Sequence, residues 1–180
     1  MQPVQLKQAF PELNYISNDT FNATNTSQSL LIALNQFSKK DILWLNGDIV
    51  YDHRVIKRLI STPNSCMAVN SAKVGDEEVK YKTNKSRYVI EISKEVKKPE
   101  GESVGIHKIP ANEVPILIRY LSVCKDQDYF EKGLEMAIQN GIKVTPIDIS
   151  DLNCIEIDFP EDLDAANNMI DDKGIIKDLR

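Results

Sequence analysis

LWLNGDIVYD, residues 43–52, is an apolar run that stops at a Gly-Asp pair and leads into a helical pattern. In an open α/β sheet, ligands bind outside the carboxyl ends of the strands, so Asp48 lies where chemistry is expected. Gly47 beside it allows a ligand to come close to the backbone. A second acidic strand end, CIEIDFPEDLDAA at residues 154–166, places Asp158 after another short strand. The two motifs together predict a phosphate-and-metal site.

Two carboxylates on neighbouring strand ends can share one divalent cation. Mg²⁺ is the natural candidate, because proteins hold it with one or two carboxylates, substrate phosphates and water. Taken alone, each motif is better interpreted as structural: Asp48 as a turn residue that caps the next helix, and Asp158 as an N-cap before Pro160. The pairing of the two motifs favours the metal site. Asp52 is predicted to be the N-cap of the helix that follows it.

Short β-rich runs alternate with amphipathic helical patterns along most of the sequence. This order predicts an α/β layer fold with a largely parallel sheet. We expect one domain spanning residues 1–180, because the length suits a single core and no long linker interrupts it. The predicted strands are Leu13–Ser17, Ile42–Asn46, Cys66–Asn70, Val79–Thr83, Tyr88–Ile92, Val104–Ile109, Val144–Ile147 and Ile155–Asp158.

Helical periodicity separates these strands. The first helix is predicted to start at Thr26 or Ser27, either of which can act as its N-cap. We expect its apolar side to pack on the sheet through Leu30, Leu31, Leu34 and Phe37. The later helices are predicted at His53–Ile60, Ala111–Cys124 and Asp128–Gln139, with a last helix that opens at Pro160.

Residues 75–102 change character to closely spaced β pieces that carry many charges. We predict an inserted polar hairpin or small lobe here, half-buried through the alternating residues Val79, Tyr81, Tyr88, Ile90 and Ile92. Lys80 and Lys82 share one face of this strand, so both ammonium groups point at one patch. The pair could bind a phosphate as point charges, or it could protect a solvated edge strand from aggregation.

Composition excludes several classes of function. The 180 residues carry 22 basic and 27 acidic side chains, a formal charge of -5, which argues against nucleic acid and anionic lipid as partners. No apolar run approaches the ~20 residues that span a bilayer, and the N-terminal residues lack a signal-peptide core. We therefore expect a soluble, cytoplasmic protein.

Five segments of the sequence form an ordered series: NATNTSQSLLIAL (22–34), LWLNGDIVYD (43–52), DEEVKYK (76–82), EISKEVKKPEGESVGIHKI (91–109) and IEIDFPEDLDAA (155–166). Together they resemble the nucleotidyltransferase superfamily, and most of all its cytidylyltransferases of the phosphocholine and sugar-phosphate or polyol-phosphate type. The likeness spreads from about Leu13 to Ile170, and the order of the segments is more specific than any one of them. It implies a three-layer α/β/α fold of the nucleotide-diphospho-sugar transferase type, with a mainly parallel, mixed sheet.

This resemblance implies a reaction. A nucleoside monophosphate, CMP from CTP or its equivalent from another NTP, would be transferred to a phosphorylated small molecule with release of pyrophosphate. By match to the family's motifs, Asp48 and Asp158 are the catalytic pair that binds Mg²⁺. The metal would neutralise the α-phosphate while the acceptor oxygen is aligned opposite the leaving pyrophosphate.

The resemblance also implies substrate contacts. Asn25 and Ser29 match the segment that packs beside the nucleotide. Glu102, within GESVGI, matches a position near the acceptor, and Lys80 or Lys82 could meet the acceptor's phosphate.

The sequence departs from the family pattern at its start. Family members open with a strand, a glycine-rich loop ending in a basic residue, and a Pro-Lys element, whereas this sequence opens with MQPVQLKQAF. It is therefore interpreted as N-terminally truncated, and we expect impaired or absent activity in the chain alone, because those amides and cations stabilise the triphosphate. Without these strands, Ile42–Asn46 would expose a sheet edge. Exposed edges recruit partners, so we expect a homodimer through this edge, or rearranged pairing within the monomer.

Two alternatives stay open. The first is a non-catalytic binding or assembly module on the same fold. The second is a fragment of a glycosyltransferase of the related GT-A type, which also places an aspartate after a central strand. It is less favoured, because the spacing of four between Asp48 and Asp52 is not the usual DxD pattern.

Overall fold

The computed structural model describes residues 3–37, 39–72, 74–75, 77–171 and 174–177, which form an α/β fold. The described helices are α1 (Pro3–Ala9), α2 (Thr26–Phe37), α3 (Arg54–Ser61), α4 (Val114–Leu121), α5 (Phe130–Gln139) and α6 (Pro160–Met169). The described strands are β1 (Ile42–Leu45), β2 (Ile49–Tyr51), β3 (Cys66–Asn70), β4 (Lys80–Thr83), β5 (Val89–Ser93), β6 (Gly101–Ile109), β7 (Thr145–Asp148) and β8 (Cys154–Glu156). Among these helices, none has the length and the apolar run that crossing a membrane requires.

The main sheet is mixed and centred on the long strand β6. Its strand order is β5-β4-β6-β3-β7, and β1 also pairs with β6. The β3–β7 ladder is parallel, while the four other ladders of this sheet are antiparallel. Strands β1, β3, β4 and β7 consequently run in one direction, opposite to β5 and β6. The mixed α/β fold expected from the sequence is confirmed.

Alternating side chains of β3 bury both faces of this sheet. Met67 and Val69 belong to a core cluster on the side of α2, α4 and α5. Cys66 and Ala68 belong to a second cluster with Val55 and other residues on the side of α3. Helices thus cover both faces, which gives the predicted three layers.

Two expectations about strands are wrong. The predicted strand Leu13–Ser17 joins no ladder among the described residues. The hydroxyl of Tyr15 instead donates to the carbonyl oxygens of Leu6 and Phe10, so local contacts with α1 replace sheet pairing. Conversely, β2 is a strand that the sequence did not predict, and it pairs with β8 in a separate two-stranded ribbon.

Three further details differ from the sequence prediction: the exposure of Phe37, the start of α4 and the burial pattern of the hairpin. Phe37 is exposed rather than packed on the sheet. Helix α4 starts at Val114 instead of Ala111, because a turn formed by residues 110–113 precedes it. The polar segment does form a hairpin of β4 and β5, but a register shift between Lys82 and Thr83 breaks the strict alternation. Val89 and Ile92 are buried as a result, and Ile90 is exposed.

Asp52 fixes the start of α3. Its side chain is buried, and its Oδ1 accepts the backbone N–H of Arg54 at 2.8 Å. The Arg54 guanidinium approaches the same carboxylate, with Nη2 2.6 Å from Oδ2. The carboxylate therefore caps the first turn, as predicted, although His53 is the residue directly before the helix. The side-chain hydrogen bond from Arg54 lowers the pKa of Asp52.

We expect Asp52→Asn to lower the free energy of unfolding at pH 7 by about 1–2 kcal/mol, since it removes a charged cap and an ion pair. A lowered pKa in the folded state means that the carboxylate stabilises the fold above its unfolded pKa of about 3.9 and loses this effect as the pH falls through the folded value. Urea unfolding at pH 7 and pH 3 should show the difference shrink at the lower pH. Asp151→Asn, which removes an exposed partner of Arg58, is the control and should have little effect. An Asp52→Asn penalty of equal size at both pH values would contradict this assignment.

Candidate functional site

The β2–β8 ribbon brings the two predicted carboxylates to one end. Asp48 directly precedes β2, and Asp158 follows β8 by two residues. The backbone N–H of Ile157 donates to the carbonyl oxygen of Asp48 at 2.9 Å, which extends the pairing to this end of the ribbon. Both carboxylates belong to exposed residues. The sequence motifs more than a hundred positions apart therefore meet in space.

A third carboxylate, Glu156, lies at the centre of this end. Its Oε1 accepts a hydrogen bond from Asn46 Nδ2 at 3.1 Å. Burial raises the pKa of Glu156, and the charges of Asp48, Asp158 and Glu78 raise it further against the effect of Asn46. Asp48, Asp158 and Glu78 are thus each close enough to Glu156 to repel its charge. In the sequence, Glu156 alternates with Ile155 and Ile157, a pattern that is compatible with a side chain facing either the pocket or the solvent.

Three adjoining cavities share Glu156 and form one cleft. The Trp44 cavity, about 430 Å³, is lined by residues that include Thr26, Ser29, Trp44, Asp48 and Glu131. The Glu102 cavity, about 250 Å³, is lined by Glu78, Glu102, Asp158 and Asp162 among others. The Lys94 cavity, about 260 Å³, is lined by Glu77, Glu78, Lys94, Tyr129, Glu131 and Asp158 among others. Because Glu156 lines all three, the cleft connects the two predicted carboxylates with α2, α5 and the hairpin.

The cleft is strongly acidic. The described lining of the Lys94 cavity contains five carboxylates, Glu77, Glu78, Glu131, Glu156 and Asp158, against the one cation Lys94. A divalent cation would relieve the repulsion that raises the pKa of Glu156. Within the described part of the chain, no group of three or more His, Cys, Asp or Glu side chains is placed to hold a metal by itself. The donor set therefore fits Mg²⁺, which accepts one or two carboxylates and takes its other ligands from phosphates and water.

Asn25 and Ser29, the two residues predicted to lie beside the nucleotide, have different roles in the structure. Ser29 lines the Trp44 cavity, and its Oγ accepts a hydrogen bond from Asn18 Nδ2 at 3.0 Å. Asn25 has a structural role at the start of α2, where its Oδ1 accepts the N–H of Thr26 at 2.8 Å. Thr26 itself lines the cavity and was missed, and its Oγ1 accepts the N–H of Phe130 at 3.0 Å, which ties α2 to α5.

The predicted acceptor-side residues have different surroundings, although Lys80 and Glu102 are paired neighbours across β4 and β6. Glu102 lines the Glu102 cavity and accepts the N–H of Gly75 through Oε2 at 2.9 Å. Lys80 Nζ donates to the carbonyl oxygen of Lys94 at 3.2 Å. Lys82 Nζ lies 3.9 Å from Glu91 Oε1. Neither lysine is among the residues that line the three cavities, whereas Lys94 is.

An aromatic cluster forms one wall of the Trp44 cavity. The ring of His107 stacks on Trp44 with 5.0 Å between centroids and meets Phe130 edge-on at 5.1 Å. Burial lowers the pKa of His107 to about 3, so the imidazole is neutral and packs as part of the aromatic cluster. The Trp44 indole N–H and both imidazole nitrogens lack hydrogen-bond partners among the described residues.

Glu131 is a site residue that the sequence analysis missed. It lies in the first turn of α5, is only 7% exposed, and lines both the Trp44 and the Lys94 cavities. No described residue provides a hydrogen-bond partner for its Oε2. Burial raises the pKa of Glu131 to about 7, and the charge of Glu156 adds to the shift while Lys94 opposes it. The sequence does hold one signal for Glu131: it is an acidic residue between Phe130 and Leu134 in α5, both of which are buried.

Comparison with known proteins identifies the fold. No protein-family profile and no curated protein sequence matches this chain. The inositol-1-phosphate CTP transferase from T. maritima matches with a TM-score of 0.72 at 14% identity, over 89% of this chain and 69% of that one. The CTP:phosphocholine cytidylyltransferase from Streptococcus pneumoniae matches with a TM-score of 0.70 at 12% identity, over 92% of this chain and 73% of that one. A UDP-glucose pyrophosphorylase matches with a TM-score of 0.65 at 10% identity, over 93% and 72%. The chain therefore has the nucleotidyltransferase fold that the sequence resemblance implied.

The buried carboxyl of Glu131 should make stability depend on pH. Its pKa rises from 4.5 to about 7 on folding. A raised pKa means that its contribution to stability is complete below pH 4.5 and is lost as the pH rises through about 7. We expect Glu131→Gln, which stays neutral, to be more stable than the unaltered chain at pH 8 by up to about 3 kcal/mol, and to differ little at pH 4.5.

Urea unfolding at pH 4.5 and pH 8 measures this difference. Glu135→Gln is the matched control, since Glu135 lies one turn further along α5 and pairs with Lys132. Because it loses that pair, Glu135→Gln should be no more stable than the unaltered chain at pH 8. A Glu131→Gln variant that is less stable than the unaltered chain at pH 8 would show that the carboxylate has a stabilising partner.

Proposed function

We propose that this chain binds a nucleotide with Mg²⁺ and carries the machinery for transfer of CMP from CTP to a phosphorylated small molecule, with release of pyrophosphate. The observation that carries this proposal is the meeting of Asp48 and Asp158 at one end of the β2–β8 ribbon, in an acidic cleft of a nucleotidyltransferase fold. Two proteins of similar structure are a CTP transferase and a CTP:phosphocholine cytidylyltransferase, which favours CTP over other nucleotides.

In this proposal the cleft divides the substrates between its cavities. Asp48 and Asp158 hold the Mg²⁺, which supplies positive charge for the α-phosphate when it is bound. The Trp44 cavity, with Thr26 and Ser29 on its α2 side, takes the nucleoside. The Glu102 and Lys94 cavities, which share Glu78, Glu156 and Asp158, take the acceptor.

The reaction needs little proton chemistry. An oxygen of the acceptor phosphate forms a bond to the α-phosphorus, and the bond from that phosphorus to the bridging oxygen of pyrophosphate breaks. The attacking oxygen is already ionised near neutral pH, so no general base is required. The absence of a basic imidazole in the described cleft is consistent with this, since burial keeps His107 neutral.

We also propose that the chain alone is a weak catalyst. A triphosphate bound beside this many carboxylates needs compensating positive charge, and Lys94 is the one cation in the described lining of the Lys94 cavity. Pre-organised donors aimed at the developing charge are usually the largest single contribution to catalysis. The sequence of 180 residues contains no glycine-rich loop that would add such donors.

Asp48→Ala and Asp158→Ala should each abolish Mg²⁺-dependent nucleotide binding while the fold stays intact. Isothermal titration with CTP and the other NTPs, each with and without Mg²⁺, measures this. Asp164→Ala, on the exposed surface of α6, is the control and should bind as the unaltered chain does. Unchanged binding in both cleft variants would overturn the site assignment, and no binding of any nucleotide by the unaltered chain would favour the non-catalytic module.

The free edge of β1 supports the proposed homodimer. The backbone N–H of Asn46 donates to Gly105 O, and hydrogen-bonded positions alternate along an antiparallel ladder. Ile42 and Trp44 therefore direct their backbone groups to β6, and Leu43 and Leu45 direct theirs outward. No described strand pairs with this outer edge. A second copy that aligns Leu43 with Leu45, and Leu45 with Leu43, satisfies all four outward groups on each chain.

Sedimentation equilibrium should show a dimer of the 20.4 kDa chain. Leu45→Lys, at a residue 39% exposed on this edge, should shift the population to monomer, because charges on edge strands oppose pairing. Val123→Lys changes an exposed residue away from the edge and should leave the dimer in place. A monomeric unaltered chain, or a dimer that Leu45→Lys does not weaken, would contradict this interface.

A further inference from the structure

A further cavity of about 420 Å³ adjoins the cleft beyond Glu131. The residues that line this rear cavity include Ile92, Ser93, Glu95, Gln127, Lys132 and Glu135, and it shares Val79, Lys94, Tyr129 and Glu131 with the Lys94 cavity. The four shared side chains consequently lie at the passage between the cleft and the rear cavity. Among them, Glu131 carries the one negative charge.

The carboxyl of Glu131 is incompletely satisfied. Its Oε2 is buried and has no partner among the described residues, and burying a polar atom in this way destabilises a protein. The nearby ammonium of Lys94 lies over the ring of Tyr129, 5.6 Å from its centroid, and no hydrogen bond joins it to Glu131. The position is therefore built for a hydrogen-bond donor that the described chain does not provide.

The charge around Glu131 selects the type of donor. The five carboxylates of the Lys94 cavity outnumber its one lysine, so a cation entering this passage gains Coulomb energy. A neutral hydroxyl could donate a hydrogen bond but would gain no charge attraction. A quaternary ammonium would gain the attraction but has no N–H to donate, and the passage offers the single aromatic ring of Tyr129 rather than a cage. A primary ammonium meets both requirements.

We propose that the acceptor carries a primary ammonium group, which binds the Glu131 carboxylate at the passage between the Lys94 cavity and the rear cavity. This inference rests on the proposed function for the position of the acceptor's phosphate, which the carboxylates repel from the passage and the Mg²⁺ at Asp48 and Asp158 attracts. The acceptor class is then an amino-alkyl phosphate. Glu131 is a specificity residue for that acceptor rather than a member of the metal site.

Isothermal titration of the full chain with phosphoethanolamine, phosphocholine and sn-glycerol 3-phosphate, each with Mg²⁺ and with and without CTP, tests this. Phosphoethanolamine should bind at least tenfold more tightly than the other two. Glu131→Gln should weaken phosphoethanolamine at least tenfold and change the other two less than twofold. Glu135→Gln, which alters the wall of the rear cavity but not the passage, should change none of the three.

The comparison of three ligands on the unaltered chain does not depend on how well a variant folds. Equal or tighter binding of phosphocholine or glycerol phosphate, absence of binding by all three, or an unaffected Glu131→Gln variant would overturn the inference. Failure of CTP to bind while the preference for phosphoethanolamine persists would contradict the proposed function and leave this inference standing. Binding of CTP without any such preference would do the reverse.

Discussion

The pairing of β6 with two different strands along one edge is the constraint on which the site depends. The first residues of β6 pair with β4, and its last four pair with β1. Gly105 lies between these two segments with φ +71°, and a Cβ there would come within 2.7 Å of Asn46 Nδ2. Only glycine fits this position without displacing Asn46. The chain can therefore leave β1 at Leu45, turn through Asn46 and enter the ribbon that carries Asp48.

The cleft concentrates groups that disfavour the folded state. Burial and then the acidic neighbours raise the pKa of Glu156. Glu131 is buried with one oxygen, and the Trp44–His107 stack with its ring nitrogens, lacking hydrogen-bond partners among the described residues. Such groups persist where the surrounding structure fixes them, and here β3, β6 and α5 form a continuous buried layer behind the cleft. A cation or a hydrogen-bonding ligand would remove part of this destabilisation, so ligand binding and stability are coupled in this fold.

Sequence motifs predicted the residues of the candidate site that lie at strand ends. The other residues that line the cleft are brought there by contacts between segments remote in sequence. Asp48 and Asp158 could be found because an acidic residue after an apolar run is visible locally. Glu131 could not be found in this way, since its importance comes from burial by the hairpin and from Glu156, which are remote in sequence. The wrong strand prediction at Leu13–Ser17 and the exposed side chain of Ile90 both depend on pairing that is not visible locally. Leu13–Ser17 has no strand to pair with among the described residues. A register shift between Lys82 and Thr83 moves the side chain of Ile90 to the other face of the hairpin.

The outer edge of β1 lies close to the acidic cleft, because β1 ends three residues before Asp48. A strand that pairs with Leu43 and Leu45 would bring its own side chains towards this end of the cleft, into the electrostatic field of the carboxylates. The charge on those side chains would then change the affinity of the cleft for a cation and for a triphosphate. A change in the pairing of β1 should therefore alter the electrostatic environment of Asp48 even where no substrate contact changes.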